Sequence, residues 1–164
     1  MIAHAVAESL DQLRPWMPWA TPSAATSDGQ LEWLHRVARS WSESTDFVYV
    51  SLTPDGEVFL GTCGLHHRIG PKALEIGYWV HIAHTNHGYA TAAARALTMT
   101  ALGLPDIDRV EIHCDQANLA SQAIPRKLGY RLDRIEDDEI EAPGEIGKSM
   151  IWEMARLLAN PHRR

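Results

Sequence analysis

The spacing of apolar positions changes several times along the chain, and each change marks an element. Val6, Leu10 and Leu13 recur at helical spacing, which predicts a helix over 3–13. Pro15-Trp16-Met17-Pro18-Trp19 cannot continue it, because proline lacks a backbone donor and restricts the residue before it. A second helix is expected over 28–42, capped by Ser27 or Asp28 and carrying Leu31, Leu34 and Val37. Phe47-Val48-Tyr49-Val50 and Val58-Phe59-Leu60 flank Pro54-Asp55-Gly56, which has the composition of a hairpin turn. The second of these strands runs on through Cys63 and Leu65. Further strands are expected at 73–82, 109–114, 129–136 and 148–156, and helices at 89–102 and 118–128. This order predicts an α+β fold with a mixed central β-sheet flanked by helices.

Composition narrows the class. A length of 164 residues suits one core, so a single domain over 1–164 is expected. Cys63 and Cys114 each lie in an apolar strand pattern and read as buried free thiols. No apolar run approaches a membrane span, and the first residues lack the basic and apolar regions of a signal peptide. The expected setting is cytoplasmic. Fifteen basic against 21 acidic residues give a net charge of −6, which argues against nucleic acid as partner and suits a cationic one.

The densest chemical signal is His87-Gly88-Tyr89-Ala90-Thr91, between the strand Leu74-Glu75-Ile76-Gly77-Tyr78-Trp79-Val80 and an alanine-rich helix. Glycine permits close approach of a ligand to the backbone, and the free N–H groups of a helix's first turn attract anions. A phosphate-bearing ligand is therefore expected at this junction, although such a turn also serves as a plain connection. Downstream stand Asn118-Leu119-Ala120-Ser121 and Lys127-Leu128-Gly129-Tyr130.

Taken in order, Glu-Ile-Gly-Tyr-Trp-Val, Gly-Tyr-Ala-Thr, Asn-x-x-Ser and Lys-Leu-Gly-Tyr closely resemble the GNAT superfamily of acetyl-CoA-dependent N-acetyltransferases, and within it the RimJ/RimL-like branch. The resemblance spans about residues 10–155. It implies the GNAT fold, with the cofactor's pantetheine arm between two splayed strands, and acetyl-CoA as co-substrate. Backbone amides of Asn86, His87, Gly88, Tyr89, Ala90 and Thr91 are then expected to hold the pyrophosphate. Val80 and Ile82 are expected to pair with the pantetheine, and Asn118 and Lys127 to line the cofactor site. Two departures stand out. Thr85 replaces the Arg or Gln that usually opens the phosphate loop, and the pattern's first strand has no counterpart ahead of the 3–13 helix. An edge strand left open in this way invites pairing with a second subunit, so a homodimer is an expectation.

Acetyl transfer to an amine needs a base for the amine proton and a donor for the departing thiolate. Glu75, in an otherwise apolar strand, is the candidate base, on the expectation that burial raises its pKa; an outward-facing strand glutamate is the alternative. Ser121 is the candidate acid, since the position where many superfamily members carry a tyrosine is Pro125. His81, His84 and His87 are three apart, but no paired cysteine or carboxylate motif accompanies them, and no metal is expected. Trp16 and Trp19 are candidates for covering the acceptor pocket. The acidic run Asp133, Glu136, Asp137, Asp138, Glu139, Glu141 and Glu145 is either a solvated loop or a rim that concentrates a cationic amine. The acceptor stays open between a protein N-terminus and a small cationic amine, an aminoglycoside-type antibiotic included. A non-catalytic acyl-CoA-binding module on the same fold is the remaining alternative.

Overall fold

The computed structural model describes residues 1–156. Its order is α1 (Ile2–Leu13), α2 (Ser27–Glu43), β1 (Asp46–Leu52), β2 (Phe59–His66), β3 (Ala73–Val80), α3 (Tyr89–Gly103), β4 (Arg109–Asp115), α4 (Leu119–Leu128), β5 (Arg131–Asp137) and β6 (Lys148–Ala155). One six-stranded sheet runs β1-β2-β3-β4-β6-β5. Only β3 and β4 are parallel neighbours; the other pairs are antiparallel. Among the described residues, no helix is long and apolar enough to cross a membrane.

Two expected details change. Helix α2 is capped by Thr26, whose hydroxyl accepts from the Gly29 N–H at 3.1 Å, ahead of the expected Ser27 or Asp28. Its inner side holds Gln30, Trp33 and Val37, whereas Leu31 and Leu34 are exposed. Trp41 sets that rotation: it packs edge-on against Phe47 and Tyr49 of β1 and donates to the Val48 carbonyl.

Alternation along the strands divides the sheet into two different faces. On one, Cys63, Leu65, Leu74, Ile76, Val110, Ile112, Cys114, Met150 and Trp152 form the core with Ala94, Leu97 and Ala101 of α3. Tyr78 shares this face, because its hydroxyl reaches Ser121 on α4. The residues between them, Glu75, Gly77, Trp79, Glu111 and His113, therefore point to the opposite face. There Trp79 packs against Trp19, with ring centroids 5.9 Å apart, and against Phe59. Both cysteines are buried free thiols, and burial pushes the Cys114 thiol up to about 11.

Candidate functional site

The parallel pair β3–β4 opens into a cleft. Its ladder consists of Ala73↔Arg109, Leu74↔Val110 and Glu75↔Glu111, yet β3 continues to Val80 and β4 to Asp115. The unpaired half of β3 still presents hydrogen-bonding groups to the gap. The His81 N–H donates to the Leu60 carbonyl, which fixes the antiparallel alternation with β2. Glu75, Gly77 and Trp79 thus bond toward β2, and the backbone groups of Ile76, Tyr78 and Val80 face β4. No strand meets them beyond Glu75. Val80 is therefore open to the gap.

Ile82 is not. The strand stops at Val80, and Ile82–His84 form a short 3-10 turn. The Ile82 N–H donates to Ser9 Oγ of α1 at 3.0 Å, and its carbonyl accepts from the Thr85 hydroxyl. The His81 ring accepts from the Ala83 N–H and closes the turn. With both backbone groups engaged, Ile82 has none left to pair with an extended ligand. The expected strand over 73–82 is thus two residues too long.

Past that turn the chain enters α3 through Asn86 at φ 62° and Gly88 at φ 85°. The left-handed conformation at Gly88 carries a steric cost for any L side chain. A Cβ there would meet nothing within 4 Å, so packing does not exclude a side chain. No side chain caps α3, and the first intrahelical bond runs from the Ala92 N–H to the Gly88 carbonyl. The amides of Gly88, Tyr89, Ala90 and Thr91 are thus without helical partners and point where the dipole favours an anion. The His87 ring holds the Thr85 carbonyl at 2.7 Å and stacks on Tyr89.

At the opposite wall of the cleft, Asn118 caps α4, its side-chain oxygen accepting from the Ser121 N–H at 3.0 Å. The Ser121 hydroxyl lies 3.2 Å from that of Tyr78, so a β3 side chain spans the cleft to reach α4. Burial pushes the Tyr78 phenol far above its ordinary value. Lys127 is exposed in the last turn of α4, about 13 Å along the helix from Asn118 at 1.5 Å per residue.

Glu75 stands at the apex of the cleft, but not as expected. Its side chain is buried and receives two hydrogen bonds from Arg68, at 2.6 and 2.7 Å. Burial pushes the carboxyl up; the Arg68 hydrogen bonds and charge, with lesser help from His113 and His66, outweigh it and hold the group below its ordinary value. The expectation of a raised pKa is corrected: Glu75 is a fixed negative charge. Glu111 beside it follows the same pattern, with burial opposed by Arg109 and by His113, whose Nε2 lies 2.6 Å away.

The loops on this face meet one another and Trp79. Trp19 covers Trp79, Trp16 follows α1 in a turn on Leu13, and the Gly144 N–H of the β5–β6 loop donates to the Pro15 carbonyl. Much of the acidic run is already paired: Asp133 and Glu136 with Arg134, and Asp137 with Lys148. Asp138, Glu139 and Glu141 remain exposed without a cationic partner among the described residues. Asp46, Arg68 and Tyr78, to which the sequence alone assigned no role, are joined by hydrogen bonds to His66, Glu75 and Ser121.

Comparison with known proteins agrees with this fold. The family described as acetyltransferase (GNAT) domain matches residues 3–131. The "Putative ribosomal N-acetyltransferase YdaF" of Bacillus subtilis is 27% identical over 135 residues, covering 79% of this chain and 70% of that protein. Among solved structures, the ribosomal-protein-S5-alanine acetyltransferase of Vibrio fischeri superposes with TM-score 0.82 at 16% identity, over 94% of this chain and 86% of that one. A RimL ribosomal L7/L12 alpha-N-protein acetyltransferase in complex with coenzyme A superposes with TM-score 0.81 at 19% identity, over 93% and 85%.

Proposed function

Because the chain belongs to the acetyltransferase (GNAT) domain family, we propose that it transfers the acetyl group of acetyl-CoA directly to a primary amine in a ternary complex, and that the amine is a protein N-terminus. The observation that carries this reading is the cleft itself. It opens beyond Glu75↔Glu111, has free backbone groups along Tyr78 and Val80, and ends at the uncapped start of α3.

In this reading the amides of Gly88–Thr91 and the adjoining Asn86–His87 turn bind the pyrophosphate, as helix N-termini bind phosphate. The pantetheine adds to the free edge of β3 at Tyr78 and Val80, as a strand would. Asn118 keeps its side-chain NH₂ for this arm, since only its oxygen is used in capping. The thioester then lies near the apex. The amine nitrogen bonds to the carbonyl carbon and the C–S bond breaks, with the electron pair passing to sulfur. Ser121, in contact with Tyr78, donates the proton that makes the free thiol and regains one from solvent. Glu75, ionised, attracts the cationic form of the acceptor to the apex. Trp16, Trp19 and Asp138 border the path by which it arrives.

The protein-acceptor reading is favoured over a small polycation by the paired state of Asp133, Glu136 and Asp137, which leaves a modest rim. The similarity to YdaF and to the ribosomal-protein acetyltransferase structures also supports it. Thiol release from acetyl-CoA, measured across peptides with different first residues and across amino sugars, tests it. Turnover with peptides is expected; turnover with amino sugars alone would reassign the acceptor.

A further inference from the structure

We propose that His66 accepts the proton of the attacking amine, and that Asp46 is the residue that positions it. This rests on the reading above, in which an amine meets a thioester at the apex of the β3–β4 cleft.

His66 ends β2 and stands opposite Glu75. Its Nδ1 lies 2.5 Å from Asp46 Oδ1, at the first residue of β1. An ionised carboxylate only accepts, so Nδ1 carries the hydrogen and Nε2 keeps the lone pair. Nε2 has no hydrogen-bond partner among the described residues. The carboxylate–imidazole arrangement fixes the tautomer and stabilises the imidazolium that forms on proton transfer, as in hydrolytic triads.

The ring's position is what makes this pair more than a surface contact. It lies over Gly64 and Gly77, which face each other across β2 and β3. A Cβ at Gly64 would stand 3.0 Å from Nε2, and one at Gly77 would stand 3.2 Å from it. Glycine inside a strand weakens it and marks a close approach. Here the approaching group is an imidazole. Gly77 belongs to the unpaired half of β3, between Ile76 and Tyr78, whose backbone groups face the cleft. The lone pair is therefore held beside the cleft, on the face where Trp19 and the β5–β6 loop converge.

The charged groups nearest the ring in the sheet are Asp46 on β1 and Glu75, with its Arg68, on β3; Glu111, with His113, is next beyond Glu75 on β4. His113 is the competing base, but no glycine is cleared beneath its ring. The bound ammonium first gives one proton to solvent; in the transfer, the neutral amine nitrogen gains the acyl carbon and loses its second proton to His66 Nε2, while the sulfur leaves with its electron pair and takes the Ser121 proton. The proton returns to solvent after the acetylated product departs.

The test is the pH dependence of kcat/KM, using a peptide acceptor found by thiol release, for wild type and for His66→Gln, Asp46→Asn and His113→Gln. Circular dichroism checks folding, and calorimetry with CoA checks the cofactor site. His66→Gln is expected to lower kcat by about 10²-fold or more, the scale of general-base catalysis, and to lose the acid limb while CoA affinity stays within two-fold. Asp46→Asn is expected to retain the limb but move it to lower pH, because a charge favouring the protonated ring is gone. His113→Gln is expected to keep the limb. A folded His66→Gln that retains the limb, or a His113→Gln that loses it, overturns the proposal. Should His66→Gln not fold, an unmoved limb in Asp46→Asn overturns it equally. Failure of the wild type to acetylate any peptide refutes the underlying reading, and the inference with it; peptide turnover with an unmoved limb refutes the inference alone.

Discussion

Arg68 decides whether Glu75 is a fixed charge or a titrating base, so its removal should be felt mainly through Glu75. In Arg68→Gln, a buried carboxylate loses two hydrogen bonds of 2.6 and 2.7 Å and the charge behind them. Hydrogen bonds to a charged group contribute about 1.5–3 kcal/mol each. The Arg68 side chain is 60% exposed, and solvent screening discounts both bonds toward the low end, to about 3 kcal/mol together. For a chain of this size that is a drop in Tm of roughly 6–12 °C. The pH dependence follows from the sign of the shift. In wild type the folded-state pKa of Glu75 is depressed, so its contribution is present above the ordinary value of 4.5 and is lost as pH falls through the folded pKa. In the variant, burial acts unopposed by Arg68, and acid relieves the protein by protonating the carboxyl. The stability gap should therefore be largest near pH 7 and begin to shrink above 4.5, where the variant's carboxyl takes up its proton, and continue to shrink below 4.5 as wild type loses its own contribution. Urea unfolding of both proteins from pH 7 down to pH 4 measures it. A gap below about 0.5 kcal/mol at pH 7, or one that stays constant with pH, would refute the argument that Arg68 overrides burial at Glu75.

Ser121→Ala is expected to slow turnover by about 10²-fold if its hydroxyl protonates the thiolate; single-turnover kinetics at saturating acetyl-CoA measure this, with CoA affinity intact. Neutralising Asp138, Glu139 and Glu141 together should raise acceptor KM at low salt, with little change in kcat, and the effect should fade as ionic strength rises, since exposed charges are screened over about 10 Å at 0.1 M. Asp137→Asn should do less, because that carboxylate is already paired with Lys148; steady-state kinetics on one peptide acceptor at two salt concentrations compare them.

Periodicity located the α-helices and strands of the described residues, though not the short 3-10 turns, because each carries an apolar pattern of its own. What it could not supply was rotation and partnership. Leu31 and Leu34 satisfy a helical stripe as well as Gln30, Trp33 and Val37 do, and Trp41 selects between them by docking on β1. Ile82 continues an apolar run, and only the Ser9 hydroxyl of α1, 73 residues earlier, shows that its N–H is taken. The Glu75 assignment failed in its electrostatics because burial is legible from an apolar strand, whereas the Arg68 partner is legible only from the β2–β3 register. Gly64 and Gly77 were a signal left unread. Two glycines inside strands, with a histidine two residues after one of them, mark a place where a ring lies flat on the sheet. The junction at 86–91, by contrast, was legible as a turn into a helix, because glycine stands directly before an alanine-rich run.

The central claim is that the β3–β4 cleft and the start of α3 bind acetyl-CoA, and titration calorimetry with CoA tests it most directly, using wild type and Gly88→Val. Valine at φ 85° brings backbone strain of about 1–2 kcal/mol and a side chain in the space left for phosphate oxygens. Wild type is expected to bind one CoA per chain, and the folded variant to give no measurable heat. A wild type that does not bind, or a Gly88→Val protein that binds with the same affinity, would contradict the account.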